Sequence, residues 1–185
     1  CAELLPPVYK CLFDPEAQVR MQAAAALPLF RNVKAFGETR AMLRKKAAAE
    51  NEPIAGRQAA LEAISVLRDA GSIEVLAKLC THPTRQLSVP AHRALMAITG
   101  QDFGAADKKW RAWFSKNKER HRAEWLIDSL MHPEERMRSI ASLELQKLTQ
   151  VYHGFAANAG KREREQAQRR YRDWWESEGR KLFDT

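Results

Sequence analysis

The sequence contains little cysteine, glycine or proline. Its 185 residues include three cysteines, eight glycines and eight prolines. Because Cys1, Cys11 and Cys80 form no close pair and no CxxC motif, the pattern indicates neither a disulfide framework nor a thiolate zinc site. The low glycine and proline content excludes collagen-like and low-complexity chains.

The sequence also lacks an apolar run long enough to cross a membrane. Its longest apolar stretch extends from Ala23 to Phe30, even when Pro28 is counted, and a membrane helix needs roughly 20 such residues. Hydrophobic residues make up 45% of the chain and charged residues 29%, which is typical of a globular soluble protein. The formal net charge of +8 permits nucleic acid, an acidic protein or a membrane surface as partner, without choosing among them.

Strand patterns and catalytic motifs are absent as well. No segment alternates strictly between apolar and polar residues, so the sequence predicts an all-helical chain. There is no Walker loop, no dinucleotide fingerprint, no HExxH motif and no serine or cysteine nucleophile motif. We therefore expect a protein that is not an enzyme, with no catalytic residue, no cofactor and no metal site.

Internal repetition is the strongest pattern that is present. Four segments, starting at residues 14, 51, 82 and 132, align with an alanine at the tenth position and large apolar residues four and seven positions later. Such spacing places the three residues on one helix face, where the alanine lets a neighbouring helix approach closely. The aligned sets are Ala23, Leu27, Phe30; Ala60, Ile64, Leu67; Ala91, Leu95, Ile98; and Ala141, Leu145, Leu148.

Turn residues precede each of these four helices. Asp14, His82 and His132 stand directly before a proline, and Asn51 stands two residues before Pro53, which favours a helix start with the proline in the first turn. We interpret the two histidines as turn residues rather than metal ligands. The intervening lengths leave room for a partner helix before each copy, over residues 3–13, 38–50, 72–81 and 107–131.

Each repeat is thus predicted to be a helical hairpin that cannot bury its apolar face alone. Stacked neighbours would bury these faces, at roughly 25 cal/mol per Å² of apolar surface. The predicted fold is all-α: a short α-solenoid of stacked antiparallel helical hairpins in a single domain over residues 1–185. A helix over residues 161–182 is predicted to cap the last repeat, with Ala167, Tyr171, Trp174 and Leu182 facing inward.

The segment from Asp14 to Leu27, DPEAQVRMQAAAAL, resembles the second helix of a HEAT repeat in its turn aspartate, Val-Arg pair and Ala-Leu pattern. The resemblance extends over about residues 14–150. In HEAT arrays the turn aspartate and the helix arginine commonly form a ladder between neighbouring repeats. The resemblance implies this structural role for Asp14, Arg20, Arg57 and Arg138. Ser88 breaks the series, and Asn51, His82 and His132 replace the aspartate, so the implied ladder is partial.

A second segment, TGQDFG at residues 99–104 followed by Trp110, Trp113 and Phe114, is similar to one that recurs in bacterial HEAT-repeat proteins of uncharacterised function. A degraded copy follows the last repeat, with Thr149, Gly154, Phe155, Tyr171, Trp174 and Trp175. Four carboxylates lie near aromatic residues in the sequence, as catalytic carboxylates often do in helical DNA-repair enzymes built on HEAT-like arrays: Asp102, Asp107, Glu124 and Asp128. The simpler interpretation of Asp107 is the N-cap of a helix that begins at Lys108.

A basic segment covers residues 108–122, where seven cations face one acid, Glu119. The aromatic residues Trp110, Trp113 and Phe114 share one helix face within it, and we interpret them as core residues. The seven cations are candidates for binding an anionic partner, and an ordinary solvated face is the alternative. They are Lys108, Lys109, Arg111, Lys116, Lys118, Arg120 and Arg122.

HEAT arrays serve mainly as scaffolds and adaptors, so the resemblance implies a non-enzymatic module whose curved surface binds a protein or peptide partner, possibly an acidic one. The alternative is a nucleic-acid-binding helical-repeat protein that uses the basic segment. We expect a cytoplasmic location. Alternatively, Cys1 is the lipidated first residue of a mature lipoprotein, in which case acyl chains would tether the protein to a membrane.

Overall fold

The computed structural model describes residues 2–183, and all regular structure in this range is helical. Short 3-10 turns occupy Ala2–Leu4, Leu27–Phe30 and Ala70–Ser72, and a π turn occupies Trp175–Gly179. The all-helical prediction is confirmed. The α-helices are α1 (Leu5–Cys11), α2 (Ala17–Ala26), α3 (Phe36–Ala48), α4 (Ile54–Leu67), α5 (Ile73–Leu79), α6 (Arg85–Thr99), α7 (Asp107–Asn117), α8 (Arg122–Ser129), α9 (Glu135–Thr149), α10 (Lys161–Trp174) and α11 (Arg180–Phe183).

Consecutive helices pack as hairpins. α1 packs against α2, α3 against α4, and α8 against α9. Contacts between α2 and α4, and between α3 and α5, join one hairpin to the next. The helical-repeat architecture predicted from the sequence is therefore confirmed. Across residues 2–183 no helix is long and apolar enough to span a membrane.

The described residues group into two compact units. The first unit contains the described residues up to Ala94, together with Gly104–Arg111. The second unit contains Leu95–Phe103 and the described residues from Ala112 onward. Because α6 and α7 each contribute residues to both units, the single domain over residues 1–185 stays a prediction.

The aligned repeat positions form the interior of the hairpins. All four alanines are buried, as are the large residues four positions later, Leu27, Ile64, Leu95 and Leu145. At the third position Phe30 and Ile98 are buried, whereas Leu67 and Leu148 are half-buried. In the first copy α2 ends at Ala26 and a 3-10 turn follows, because Pro28 has no N–H to continue the helix.

Three of the four turns before the repeat helices are held by a side chain that accepts a backbone N–H group two residues ahead. Oδ1 of Asp14 accepts at 2.9 Å, and Nδ1 of His82 and Nδ1 of His132 each accept at 3.1 Å. Histidine thus does in two copies what aspartate does in the first. The prolines that follow these residues lie two positions before α2, α6 and α9, not in the first helical turn as the sequence suggested.

The segment predicted as one long partner helix, residues 107–131, forms two helices. α7 ends at Asn117 and α8 begins at Arg122. The break is fixed by His121, which is extended and whose Nδ1 accepts the N–H group of Ala123 as the N-cap of α8. The hairpin partner of α9 is therefore α8, and α7 is an additional helix. Asp107 is the first residue of α7 rather than its N-cap, and its carboxylate accepts from Arg111 at 2.7 Å.

The C-terminal helices cover the core of the second unit. Ala167, Tyr171 and Trp175 are buried against residues of α8 and α9 such as Leu126 and Leu145. The π turn adds one residue to a helical turn and shifts the register beyond it. For this reason Leu182, which was expected to face inward, is 66% exposed, and Phe183 packs against the core instead.

The two TGQDFG-like turns share their geometry. Thr99 donates its hydroxyl to Leu95 O at 2.7 Å and accepts the N–H group two residues ahead at 3.1 Å. Thr149 donates to Leu145 O at 2.8 Å and accepts in the same way at 3.2 Å. Gly104 and Gly154 have φ of 59° and 69°, a left-handed conformation that favours glycine. The second turn therefore retains the structure of the first although its sequence has diverged.

Candidate functional site

A groove in the first unit, here called the α5 groove, has a cavity volume of about 350 Å³. Residues from the end of α3, from α4, from α5 and its following turn, and from α7 line it. Its apolar lining comes from small and medium side chains, which are Ala48, Val75, Leu79 and Pro83. The groove thus combines an apolar wall with charged side chains from neighbouring repeats.

Two pairs of opposite charges lie on exposed parts of the α5 groove. Nζ of Lys78 lies 3.8 Å from a carboxylate oxygen of Glu50, and Nη1 of Arg111 lies 4.0 Å from one of Glu74. Arg111 also donates to the backbone oxygen of Glu74 at 3.3 Å. Because these side chains are exposed, each pair contributes little to stability.

Arg57 is the buried charge of the α5 groove. It is 4% exposed, and its Nε donates to the backbone oxygen of Ala47 at 3.0 Å, which ties α4 to the end of α3. Within residues 2–183 its two terminal nitrogens have no hydrogen-bond acceptor and no ion-pair partner. The remaining lining residues, Thr81 and His82, belong to the turn after α5.

The other arginines assigned to the ladder bind carbonyl groups of their own turns. Nη1 of Arg20 donates to Asp14 O at 3.0 Å and Pro15 O at 2.9 Å. Nη1 of Arg138 donates to His132 O at 2.8 Å and Pro133 O at 2.7 Å.

The carboxylate of Asp14 accepts from its own turn, and Nε of Arg20 lies 3.6 Å from Glu62 on α4. Most contacts of the four ladder candidates, Asp14, Arg20, Arg57 and Arg138, therefore lie within one repeat, and the ladder between repeats stays a prediction.

The structure divides the seven cations of the basic segment into two groups. Lys108, Lys109, Lys116 and Lys118 are exposed. The three arginines are held by protein groups: Arg111 by Asp107 and Glu74, Arg120 by Glu124 and Asp128, and Arg122 by Glu144. Of the aromatic residues in this segment, Trp110 is fully buried, and Trp113 and Phe114 pack edge-on against Trp125.

A second cavity, of about 340 Å³, lies in the second unit and is lined by paired charges. Glu124 accepts from Arg120 at 3.1 Å and from Nε1 of Trp175 at 3.1 Å, and Asp128 accepts from Arg120 at 2.8 Å and from Arg172 at 3.1 Å. Burial alone would lower the pKa of Arg120, but hydrogen bonds and charges of Asp128 and Glu124 together raise it above its ordinary value. The two carboxylates thus anchor α10 to α8.

A third cavity, of about 410 Å³, lies between α1 and α2 and is almost entirely apolar. It includes Val19 and Ala26, which are half-buried. The aligned residues of the third copy, Leu87 and Ala94, are buried. Among the described residues, the helix face that contains these positions is therefore buried in the third repeat, whereas in the first repeat it is partly exposed and lines the cavity.

The two described cysteines differ in their surroundings. Cys80 is buried and donates its thiol to Ala77 O at 3.0 Å. Burial, and next the negative charge of Asp107, raise the pKa of the Cys80 thiol, which disfavours the nucleophilic thiolate. Cys11 is exposed beside the apolar cavity of α1 and α2. The prediction about Cys1 lies outside the described residues.

Sequence reasoning missed the α5 groove as a site. Glu74 and Lys78 lie on α5, Glu50 lies in the turn after α3, and Arg111 lies on α7, so only the packing brings the three segments together. One signal was present at Arg57. The proline that follows the turn comes one position later in its repeat than in the other copies.

Comparison with known proteins gives one match. Residues 4–30 match the family model of the HEAT repeat. This segment contains α1, the Asp14 turn, α2 and the 3-10 turn that follows. No curated protein and no solved structure matches the chain. Together with the all-helical fold, the match supports a HEAT-repeat protein.

Proposed function

We propose that this chain is a non-enzymatic helical-repeat module that holds a segment of a protein partner in the α5 groove. The mixed lining of the groove is the observation that carries the proposal. Val75, Leu79 and Pro83 offer an apolar surface, and the exposed pairs Lys78–Glu50 and Arg111–Glu74 surround it with charge. Protein interfaces have the same composition, with an apolar centre and a polar rim. HEAT repeats commonly serve as scaffolds for protein interaction.

The contacts of the basic segment favour a protein partner over nucleic acid. Nucleic-acid binding depends on cations that are free to neutralise phosphates. Arg111, Arg120 and Arg122 are instead paired with carboxylates of this chain.

The proposal includes the cytoplasmic location predicted from the sequence.

The proposal is tested by filling the groove. Val75 is half-buried in the groove wall, so Val75→Arg places a long charged side chain inside it. Val66→Arg on the exposed face of α4 is the matched control, since Val66 does not line the groove. Circular dichroism and thermal unfolding establish that both variants are folded.

Immobilised parent and variant chains are exposed to lysate of the native cells, and retained proteins are identified by mass spectrometry. Affinity is then measured with the purified partner. We expect the parent chain and Val66→Arg to bind equally, and Val75→Arg to bind at least tenfold more weakly. Equal binding by Val75→Arg, or no retained protein with any of the three chains, contradicts the proposal.

A further inference from the structure

Arg57 combines a buried charge with unused hydrogen-bond donors. It is 4% exposed and satisfies only Nε, through Ala47 O. Neither terminal nitrogen is among the fully buried polar atoms without a partner, so both are accessible from the groove, while the side chain as a whole is withdrawn from water. Both terminal nitrogens lack an acceptor within residues 2–183, and Arg57 lines the α5 groove. The groove is therefore where these donors can be satisfied.

The repeats supply an internal comparison for this arginine. Arg20 and Arg138 occupy the aligned positions, and each uses Nη1 to bind two carbonyl oxygens of its own turn. Arg57 makes neither bond. In its repeat the turn reads Asn51-Glu52-Pro53, with the proline one position later than in the other three. The open donors thus belong to this copy and not to the repeat in general.

Arg57 is the one cation of the groove lining that has no carboxylate of the described residues beside it. The two acids that line the groove, Glu50 and Glu74, are paired with Lys78 and Arg111, respectively. The Glu50 and Glu74 side chains are 81% and 65% exposed. Arg111 is also held by Asp107 at 2.7 Å, so every other cation of the lining has a carboxylate of this chain beside it. The cation without a carboxylate, Arg57, is the one that is buried, and a ligand carboxylate would supply the partner that it lacks.

The shape of the guanidinium and the lining of the groove favour a carboxylate on a peptide. The parallel N–H groups of a guanidinium match the two oxygens of a carboxylate. The apolar wall formed by Val75, Leu79 and Pro83 can contact apolar residues of the peptide that carries this carboxylate. A free phosphate ion would leave this wall without a contact.

We propose that the α5 groove binds an acidic peptide, one Asp or Glu carboxylate of which accepts hydrogen bonds from the terminal nitrogens of Arg57. This inference rests on the proposed function and names the chemistry of the partner segment. Apolar residues beside the acid pack along Val75 and Leu79.

The first test observes Arg57 directly in the full chain. Its Nε–H group is buried and bonded, so exchange with water is slow and its ¹⁵N–¹H signal is observable. The probes are acetyl-Val-Glu-Leu-amide, the same peptide with Gln for Glu, and inorganic phosphate. We expect a saturable shift of the Arg57 signal with the Glu peptide, and at least tenfold weaker binding of the Gln peptide and of phosphate. No saturable shift with the Glu peptide, equal binding of the Gln peptide, or tighter binding of phosphate overturns the inference.

The second test uses variants of the aligned arginines. Arg57→Met removes the charge, and Arg57→Lys keeps the charge but removes the paired donors. Arg20→Met is the matched control, because Nη1 of Arg20 already binds its own turn. We expect at least tenfold weaker binding of the Glu peptide by Arg57→Met, an intermediate loss in Arg57→Lys, and no change in Arg20→Met. If Arg57→Met does not fold, the comparison of Glu-peptide binding by Arg57→Lys and by the parent chain decides the test.

The two proposals fail in different ways. If Val75→Arg abolishes partner binding while both Arg57 variants retain it, the groove binds the partner without Arg57 and only this inference is wrong. If Val75→Arg leaves partner binding unchanged, the proposed function is wrong.

Discussion

At the scale of single residues, Ala60 leaves no space for a larger side chain. It is fully buried on α4, at the position where the repeat alignment places the closest helix approach. Ala60→Leu should overpack this contact and lower the free energy of unfolding by about 1–3 kcal/mol. Ala55→Leu on the exposed side of the same helix should change it by less than about 0.5 kcal/mol. Urea denaturation measures both, and equal effects would mean that the repeat register is wrong.

His153 makes stability depend on pH. Burial, and next the positive charge of Arg170, lower the pKa of its imidazole from the ordinary value of 6.5, although Glu178 opposes this. The ring packs edge-on against Tyr171, with a centroid distance of 4.7 Å. Below pH 6.5 the unfolded chain takes up the proton before the folded chain does, so this contribution to stability is lost as pH falls toward the lower pKa of the folded state.

The variant His153→Phe keeps a ring at this position and removes the proton. We expect its stability to decline less between pH 7 and pH 5 than that of the parent chain, as measured by urea denaturation at pH 7, 6 and 5. An identical decline in both proteins would show that His153 does not contribute.

At the scale of elements, Arg122 joins α8 to α6 and α9. It donates to Ile98 O at 2.9 Å, to Ala97 O at 2.8 Å and to Glu144 at 2.8 Å. The side chains of Arg122 and Glu144 are 11% and 5% exposed. Arg122→Met would leave the Glu144 carboxylate buried without its arginine, and Lys147, 3.7 Å from the other oxygen, would compensate in part, so the variant should lose up to about 3–5 kcal/mol of stability.

A double variant separates the buried charge from the packing. Arg122→Met with Glu144→Met should be less destabilised than Arg122→Met alone, because the buried carboxylate is removed together with its arginine. Lys116→Met, at an exposed position of the same basic segment, is the control and should be nearly neutral. Thermal unfolding compares the four chains. If Arg122→Met behaves like Lys116→Met, Arg122 is a surface cation rather than a structural one.

The helices that follow the repeat turns could be predicted because their signals are local. α4 and α9 follow from the spacing of alanine and large apolar residues, since that spacing has the period of a helix. The break between α7 and α8 could not be predicted, because it depends on one hydrogen bond that the His121 ring accepts from the backbone N–H group of Ala123. Leu182 was misplaced because nothing in the sequence marks a π turn.

The α5 groove was beyond prediction for a related reason. The repeat alignment placed Arg57 correctly among the aligned arginines, but it could not show which donors the fold would leave open. Whether a guanidinium finds an acceptor depends on the position of carbonyl groups six residues away, as the bonds of Arg20 and Arg138 show. The acids of the groove come from the turn after α3 and from α5, not from the helix of Arg57.

At the scale of the whole molecule, the formal net charge of +8 overstates the positive charge that residues 108–122 offer to a partner. The segment contains seven cations, and in the folded chain three of them, all arginines, are paired with carboxylates. Four exposed lysines remain, Lys108, Lys109, Lys116 and Lys118, of which Lys118 lies 4.0 Å from Glu119. Four such contacts supply weak, salt-sensitive attraction to a polyanion.

We therefore predict no detectable binding of random-sequence duplex DNA at physiological salt. Any complex at low salt should weaken steeply as salt rises, with a slope set by no more than about four phosphate contacts. Charge reversal to Glu at these four lysines should abolish that complex and leave the helical circular dichroism unchanged, since none of them is buried. Arg120 and Arg122 are kept intact, because their loss would disrupt the fold and remove binding for another reason. A tight complex at physiological salt that the reversed variant loses would favour the nucleic-acid alternative over the α5 groove.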